Sequence, residues 1–295
     1  MQNVVMPISH YFGCLTERSV RVSAPGTRWT AGDRDELALR IRLRAVRMVA
    51  PQGFGYLGQA LSAAEQVATV FTTARRGVDR LVCSPGHYVI APFAAAAELG
   101  LLDDALVSGY GHNGSPIEAI GTERSPVVDY TCGSLGQGLS AAAGFALSDR
   151  FRGSAARTYA FVSDGEMEEG QVWEAAIFAA HFGLDRLIVL LDANNSQVDG
   201  PVDTITTIEP IAEKWAAFGW HAQDIDGHDT AALAEAIAAA DAETARPSVV
   251  VCRTSTVHGL DCLPPDADGH FIKLSPELAE AAVAELTAKL EARHA

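Results

Sequence analysis

The chain has 295 residues and a mass of 31.2 kDa, and 48% of its residues are apolar while 20% are charged. This composition is typical of a globular protein and excludes wholesale disorder. Lysine and arginine number 22 against 37 aspartates and glutamates, so the formal net charge is −15. So acidic a chain is poorly suited to bind nucleic acid or an anionic membrane. No apolar run approaches the roughly 18 residues of a membrane span.

The N-terminus and the cysteines indicate a cytoplasmic protein. Residues 1–20 lack the basic start, the continuous apolar stretch and the small-residue cleavage site of a signal peptide. The five cysteines are odd in number and show no CxxC spacing, so we expect reduced thiols. They are Cys14, Cys83, Cys132, Cys252 and Cys262.

Residues 1–33 show no sustained hydrophobic period and are interpreted as an N-terminal extension. A helix is predicted next, because Asp33 can cap it and Glu36 follows three residues later. The apolar positions 37, 41, 45 and 48 of this helix share one face. No Pro-, Gly- or Ser-rich linker follows, so we expect residues 34–295 to form one domain.

Helical patterns then alternate with short apolar runs along the rest of the chain. Near-continuous apolar strands between helices are typical of a parallel sheet that is covered on both faces, so the predicted fold class is α/β. The predicted helices cover 60–75, 88–100, 134–150, 169–182, 208–218, 229–241 and 275–291, and the predicted strands cover 81–83, 158–162, 187–191 and 248–252.

Two of the predicted strands are followed by polar residues. Asp164 and Gly165 come shortly after the strand 158–162, and Asn194 comes shortly after the strand 187–191. One helix separates these strands, so a right-handed crossover brings their carboxyl ends to the same edge of one sheet. A carboxylate and an amide oxygen suit Mg²⁺ that is also held by phosphate oxygens and water. The alternative is that both residues only form turns.

Glycines form two clusters. The segment Gly133–Gly138 opens a predicted helix, where backbone N–H groups favour an anion or the polar edge of a cofactor. Close packing of the helix on the sheet would equally explain these small residues. The run 109–114 matches the dinucleotide fingerprint GxGxxG, but no strand precedes it, so we reject that interpretation.

Three histidines are candidates for ligand contact. His87 follows the predicted strand 81–83 and begins a helix, where it could meet a ligand or only cap the helix. His258 and His270 lie in a loop rich in Gly, Pro and Asp, and their residue type alone assigns them no role.

Taken together, five segments resemble the N-terminal, thiamine-diphosphate-binding half of transketolase, which some organisms make as a separate subunit. The resemblance extends from about Asp35 to about His270, with the segments in the family's order and spacing. It implies a three-layer thiamine-diphosphate-binding fold, in which helices cover both faces of a mainly parallel sheet. The segments are LSAAE (61–65), DRLVCSPGH (79–87), GSLGQGLS (133–140), SDGEMEEGQVWEAA (163–176) and NNSQVDGP (194–201).

The resemblance implies a set of cofactor ligands. Asp164 and Asn194 would bind Mg²⁺ together with the backbone carbonyl of Ser196. The N–H of Gly165 would approach the diphosphate of thiamine diphosphate. An acidic chain can hold a diphosphate in this way, because the metal ion and helix N-termini supply the positive charge.

The resemblance also implies roles around the thiamine and the substrate. Gly133 would bond the aminopyrimidine, and Leu135 would pack beside it. Glu169 matches a carboxylate that reaches across a subunit interface in the family. His87 would lie beside the reactive carbon of the cofactor, and His270 would face the substrate.

Two substrate-side positions depart from the family. The family's GHPG motif appears here as Gly55-Tyr56-Leu57-Gly58, so Tyr56, a candidate catalytic residue, replaces an imidazole of pKa about 6.5 with a phenol of pKa about 10. A second GHP motif appears as Gly114-Ser115-Pro116. We therefore expect thiamine diphosphate binding to be retained, while the usual pentose-phosphate substrates are in doubt.

The resemblance further implies a partner. In the family, the glutamate that activates the aminopyrimidine lies in a domain beyond the part that this sequence matches. We therefore expect the chain to be inactive alone and to assemble with a separate C-terminal, pyrimidine-binding subunit, as a heterotetramer. An apolar interface is expected on the helices 133–145 and 169–180, around Phe145, Trp173 and Phe178.

The sequence is consistent with three functions. The first hypothesis is a carboligase that transfers a two-carbon ketol unit between sugars. The second is an acetyl-transferring carboligase with pyruvate or another 2-oxo acid as donor. The third is a non-catalytic relic of the fold, against which the retained pair Asp164 and Asn194 argues.

Overall fold

The computed structural model describes residues 34–264, 267 and 269–294. The predicted extension, residues 1–33, and the predicted cap Asp33 lie outside the described residues. In the described part of the chain, the strands are β1 (Phe54–Gly55), β2 (Arg80–Pro85), β3 (Tyr130–Cys132), β4 (Thr158–Ser163), β5 (Leu187–Ala193), β6 (His221–Asp226), β7 (Ser248–Arg253) and β8 (Ile272–Lys273).

Strands β2 to β7 form a six-stranded sheet in the order β3-β2-β4-β5-β7-β6, and every neighbouring pair is parallel. Strands β1 and β8 form a separate antiparallel pair. The α/β fold class with a mainly parallel sheet is thereby confirmed. The helices are α1 (Arg34–Val49), α2 (Leu57–Ser62), α3 (Ala64–Thr73), α4 (Ile90–Glu98), α5 (Asp104–Val107), α6 (Gln137–Phe151), α7 (Gly170–His181), α8 (Val202–Ile205), α9 (Ile211–Ala217), α10 (Thr230–Ala242) and α11 (Pro276–His294).

Two apolar cores lie on the two faces of the sheet. Side chains alternate along a strand, and in β5 Ile188 and Leu190 enter one core while Val189 and Leu191 enter the other. The first core is closed by α1, α3, α4, α10 and α11, and the second by α6, α7 and α9. Because both faces are covered, β5 is buried along its whole length, which explains the unbroken apolar run of its first five residues, 187–191.

The predicted helices occur with ends that shift by a few residues, except that the predicted helix 60–75 is divided at Ala63 into α2 and α3. Four strands were missed. β6 is a polar edge strand with the sequence HAQDID, and only β7 pairs with it. β3 has three residues, and β1 and β8 have two each. Segments this short or this polar carry no hydrophobic period, so only tertiary pairing reveals them.

None of the helices in the described part of the chain combines the length and the apolar character needed to cross a membrane. The four described cysteines, Cys83, Cys132, Cys252 and Cys262, are free thiols.

Candidate functional site

The carboxyl ends of β4 and β5 lie side by side, as predicted. Ser163 pairs with Asp192 in the parallel ladder, and the backbone N–H of Asp164 donates to the carbonyl oxygen of Asp192 at 3.1 Å. The Asp164 carboxylate is buried, and it accepts the N–H of Gly165 at 2.8 Å and that of Asn195 at 2.6 Å. The two strand ends therefore form one polar edge.

Asn194 is held in a fixed orientation at this edge. Its amide nitrogen donates to Tyr88 Oη at 2.8 Å and to Asp192 Oδ2 at 2.7 Å, so its Oδ1 lies on the opposite side. Oδ1 accepts the N–H of Ser196 at 2.9 Å. Between them, Asn195 has a left-handed backbone with φ 56°, which turns the chain sharply after β5. The structure thus brings Asp164, Asn194 and Ser196 together.

Asp192 is a residue that the sequence analysis missed. It is 1% exposed, and both of its carboxylate oxygens are saturated by neutral donors. These donors are Gln66 Nε2 (2.7 Å) and Thr254 Oγ1 (2.6 Å) on Oδ1, and Ser62 Oγ (2.6 Å), Tyr88 Oη (2.9 Å) and Asn194 Nδ2 (2.7 Å) on Oδ2. An aspartate as the sixth residue of an otherwise apolar, buried strand was the available clue.

The two buried carboxylates at this edge form no ion pair with a cationic side chain in the part of the chain that the structure describes. Neither Asp164 nor Asp192 accepts a hydrogen bond from lysine or arginine within the described residues. Burial, and then the nearby charge of Asp192, raise the pKa of Asp164 to about 7. Buried negative charge without a partner is costly, and a divalent cation relieves that cost while taking hard oxygen ligands. This donor set fits Mg²⁺.

The glycine cluster forms a tight turn between β3 and α6. Gly136 has φ +83°, and its N–H donates to Glu166 Oε1 at 2.7 Å. A Cβ on Gly138 would lie 2.3 Å from Ser84 Oγ, so glycine is needed there for the helix to approach the end of β2. Gly133 is exposed and Leu135 is half-buried, so both predicted thiamine contacts lie at the accessible tip of this turn.

Glu166 joins the turn to the sheet. It is fully buried in the 3-10 turn Gly165–Glu168 that follows β4. Its Oε1 also accepts the Ser84 hydroxyl at 2.5 Å, whereas Oε2 is buried with no hydrogen-bond partner among the described residues. Burial raises the pKa of Glu166 to about 7, although the bonds from Ser84 and Gly136 oppose the rise.

The predicted substrate residues form an aromatic cluster. The ring centroid of Tyr56 lies 5.0 Å from that of His87 and 5.9 Å from that of His270, and the two imidazoles are 5.2 Å apart. Burial, and then the neighbouring His270, lower the pKa of His87 to about 3. His87 is therefore a neutral imidazole at physiological pH. The structure thus brings all three predicted catalytic residues together.

Two further predicted positions, Glu169 and Ser115, make local contacts of their own. Glu169 is exposed at the N-terminus of α7, and its Cβ lies close to Gly136. Ser115 is engaged in a local turn, in which its hydroxyl accepts the N–H of Ile117 at 3.1 Å. The run 109–114 follows α5 rather than a strand, in agreement with its rejection as a dinucleotide site.

His258 belongs to a different cluster. Its ring stacks on that of His228 with centroids 3.6 Å apart, and Glu65 lies beside both. Arg42 donates to both Glu65 oxygens at 2.6 Å, and His228 Nδ1 contacts Glu65 Oε2 at 3.1 Å. Because Arg42 already neutralises the carboxylate, we interpret this cluster as a buried ion pair rather than a metal site.

Comparison with known proteins identifies two kinds of relatives. Some are matched over almost their whole length, and others are longer proteins that are matched over less than half of it. The family model described as "Transketolase, thiamine diphosphate binding domain" matches residues 34–291. A transketolase family protein of Sinorhizobium fredii is 38% identical over 253 residues, which cover 82% of this chain and 91% of that protein. A 6-deoxy-6-sulfo-D-fructose transketolase subunit of a Clostridium species is 36% identical, with 83% and 93% covered. Human transketolase is 29% identical, and the match covers 88% of this chain but 42% of the human protein.

Solved structures give the same result. Transketolase from Leishmania mexicana superposes with a TM-score of 0.77 at 27% identity, covering 88% of this chain and 41% of that chain. Transketolase from Campylobacter jejuni gives a TM-score of 0.80 at 23% identity, covering 88% and 43%, and at that identity it supports the fold alone.

Proposed function

The chain belongs to the transketolase family, in which it matches the thiamine diphosphate binding domain, and on this premise we propose that it is one subunit of a two-chain transketolase-like carboligase. The enzyme would transfer a two-carbon ketol unit from a ketose donor to an aldehyde acceptor. The observation that carries the proposal is the polar edge of β4 and β5, where Asp164, Asp192 and Asn194 place buried oxygens that accept no hydrogen bond from a lysine or arginine among residues 34–264, 267 and 269–294.

In this proposal, Mg²⁺ is held by Asp164, Asn194 and the backbone carbonyl of Ser196. Asp192 keeps the Asn194 amide turned so that its oxygen, not its nitrogen, is available to the metal ion. The N–H of Gly165, which donates to the Asp164 carboxylate at 2.8 Å, would approach the diphosphate, and the space beside Gly165 is open, since a Cβ there would meet no atom nearer than 3.5 Å. Thiamine diphosphate, when bound, supplies the carbon centre that carries the transferred unit.

The remaining residues position the thiamine and the substrate. The tip of the glycine turn, Gly133 and Leu135, contacts the aminopyrimidine, and Glu166 holds that turn against the sheet. His87 is neutral, so it can donate from one ring nitrogen and accept at the other. Tyr56 and His270 stand beside it and bind the oxygens of the donor.

A second, pyrimidine-binding subunit completes the site in this proposal. Support comes from the Clostridium relative, which is named as a subunit and is covered over 93% of its length. Further support comes from α7, where Ile177 is 54% exposed and Phe178 39% exposed, next to Phe182 at 40%. We propose that this apolar face lies in the interface of a heterotetramer, with Glu169 at its edge. Of the residues expected there, Trp173 instead packs inward on Trp215 and Phe218.

One observation favours the alternative donor. Tyr56 places a phenol in the imidazole cluster. As a class, phenols are poorer general bases than imidazoles near neutral pH. An acetyl-transferring carboligase that uses pyruvate or another 2-oxo acid would need less of that base chemistry. For ketol transfer, the name of the Clostridium relative supplies a further candidate donor, the ketose 6-deoxy-6-sulfofructose.

Calorimetry of the chain with thiamine diphosphate tests the cofactor site. We expect binding in the presence of Mg²⁺ and little binding in EDTA, with a large loss in Asp164→Ala and Asn194→Ala. Asp199→Asn is the matched control, because Asp199 is exposed in the same loop. Equal affinity with and without the metal ion would overturn the proposed site.

Reconstitution with the pyrimidine-binding subunit tests the reaction. Rates are measured with xylulose 5-phosphate, 6-deoxy-6-sulfofructose and pyruvate as donors, each with a common aldehyde acceptor. Turnover of a ketose supports ketol transfer, and turnover of pyruvate alone supports the alternative. Full activity of this chain without a second subunit would contradict the two-chain arrangement.

A further inference from the structure

His270 is held against α2 by backbone geometry. The antiparallel pair β1 and β8 aligns Gly55 with Ile272, which brings the segment before β8 alongside the start of α2. At that point Gly58 faces Gly269, and a Cβ on Gly58 would lie 1.8 Å from the Gly269 carbonyl oxygen. Only glycine permits this approach, and the next residue in α2, Gln59, thereby reaches the His270 backbone and ring.

Gln59 makes two contacts with His270 from one nitrogen. The side chain of Gln59 is 1% exposed. Its Nε2 donates to the carbonyl oxygen of His270 at 3.1 Å and lies 3.2 Å from His270 Nδ1. The contact with the carbonyl oxygen fixes the orientation of the amide, because a flipped amide would set two acceptor oxygens against each other.

The orientation of the amide decides the tautomer of the imidazole. An amide nitrogen has two hydrogens and cannot accept, so Nδ1 of His270 must be the acceptor in the second contact. In a neutral imidazole, the nitrogen that does not accept carries the hydrogen. We infer that Gln59 is a positioning residue that holds His270 as the Nε2–H tautomer.

The tautomer determines what His270 can recognise. Any group that meets its Nε2 meets a hydrogen-bond donor, so the substrate atom recognised there is an acceptor, such as a carbonyl, carboxylate or hydroxyl oxygen. This consequence rests on the proposed function, since it assumes that the cluster of Tyr56, His87 and His270 binds substrate. The tautomer itself does not depend on any substrate.

Nitrogen NMR of the full chain tests the inference. The protein is labelled with ¹⁵N-histidine, and the ring resonances are recorded at pH 8, above the ordinary histidine pKa of about 6.5. His270 is assigned by comparison with His270→Gln. We expect the Nδ1 resonance at the downfield position typical of an imidazole nitrogen without a hydrogen. The Nε2 resonance is expected upfield of it, at the position typical of a nitrogen that carries a hydrogen. The opposite assignment in the wild type would overturn the inference.

A variant of Gln59 provides the second arm. A carboxylate in place of the amide would offer only acceptors to Nδ1, so Gln59→Glu is expected to move the hydrogen to Nδ1 or to yield an imidazolium. Gln223→Glu is the matched control, because the Gln223 amide nitrogen donates to the Ala236 carbonyl instead of approaching an imidazole nitrogen. An unchanged His270 spectrum in a folded Gln59→Glu chain would overturn the role of Gln59. If that variant does not fold, the wild-type spectrum decides the tautomer alone.

The kinetic arm separates this inference from the proposed function. In the reconstituted enzyme, Gln59→Glu should raise the KM of the donor at least tenfold and lower kcat less, because it alters substrate recognition. A change confined to kcat would overturn the positioning role in recognition. Absence of any transfer by the wild type overturns the proposed function and leaves the NMR result intact.

Discussion

The backbone N–H of Gly136 donates to the buried carboxylate of Glu166 at 2.7 Å. The Ser84 hydroxyl donates to the same oxygen, Oε1, at 2.5 Å. One side chain thereby joins the end of β2, the turn before α6 and the end of β4. The proposed aminopyrimidine contact at Gly133 lies at the tip of that turn, so its position depends on Glu166 although Glu166 is buried away from the surface.

Replacing Glu166 should loosen the glycine turn. Glu166→Ala leaves a buried N–H and a buried hydroxyl without an acceptor, so we expect a loss of about 2–4 kcal/mol in the free energy of unfolding. Glu166→Gln keeps an acceptor oxygen and should cost about 1 kcal/mol. Hydrogen exchange at the Gly136 amide, together with urea unfolding, measures both effects.

The exposed Glu168, two residues away on the same turn, provides the control. Glu168→Ala should leave the exchange of Gly136 unchanged, because the Glu168 side chain accepts its hydrogen bond from Gln197 and not from the glycine turn. Wild-type protection of the Gly136 amide in Glu166→Ala would show that the turn is held by packing alone.

The polar residues at the ends of β4 and β5 could be predicted from the sequence, but the hydrogen-bond network around Asp192 could not. Asp164 and Asn194 follow apolar runs one helix apart, so the topology of parallel sheets brings them together in advance of any structure. Asp192 also lies at the end of one of these strands. Its hydrogen-bond donors Ser62, Gln66 and Tyr88, however, come from segments whose sequences look like ordinary buried helix. Hydrogen bonds between residues more than 100 positions apart leave no periodic pattern.

The pair of Tyr56 and His270 shows the same limit. Their ring contact depends on β1 and β8, which have two residues each and form no recognisable strand pattern. The resemblance to a family placed both residues at the substrate site. The role of Gln59 beside His270 could not be found in that way, because it follows from the direction of one amide group.

Acid denaturation should depend on Glu65. Burial by itself would raise the pKa of this carboxyl, but Arg42 and His228 outweigh burial and lower the pKa to about 2 from its ordinary 4.5. A carboxyl with a lowered pKa in the folded state stabilises the fold above its ordinary pKa, and that contribution is lost as the pH falls toward the folded value. We therefore expect about 3 kcal/mol to be lost between roughly pH 5 and pH 2.

The variant Glu65→Gln tests this assignment. It leaves the buried Arg42 without its anionic partner, so stability at pH 7 should fall by roughly 3–5 kcal/mol. The slope of stability against pH below pH 5 should become shallower, as measured by urea unfolding at a series of pH values. Glu280→Gln, at an exposed position of α11, should keep the wild-type slope. A wild-type slope in Glu65→Gln would refute the assignment.

The apolar face of α7 should govern assembly. Phe178 contacts Phe182 with ring centroids 4.6 Å apart, and both rings are partly exposed. Phe178→Glu would bury a charge in the proposed interface, so we expect at least a tenfold weaker association with the second subunit by analytical ultracentrifugation. Val78→Glu, at another exposed apolar residue in the loop before β2, is the control. Equal association of the two variants would place the interface elsewhere.

Donor choice should depend on Tyr56. Its ring lies beside His87 and His270, so replacement by histidine restores an imidazole to the cluster. In the reconstituted enzyme, we expect Tyr56→His to raise kcat/KM for xylulose 5-phosphate about tenfold. The kcat/KM for pyruvate should stay the same or fall. The reason is that an imidazole near neutral pKa exchanges protons with a hydroxyl far better than a phenol does.

Ser115 is left unchanged in this experiment, because its hydroxyl accepts the Ile117 N–H and a larger residue would disrupt that turn. Tyr56→Phe is the matched variant, since it keeps the ring and removes only the hydroxyl. If the phenol binds a donor oxygen, Tyr56→Phe should lose activity with the natural donor, whichever donor that is. Ketose activity that falls in Tyr56→His and is unaffected in Tyr56→Phe would mean that Tyr56 acts through its ring alone, and the link between the lost imidazole and donor choice would fail.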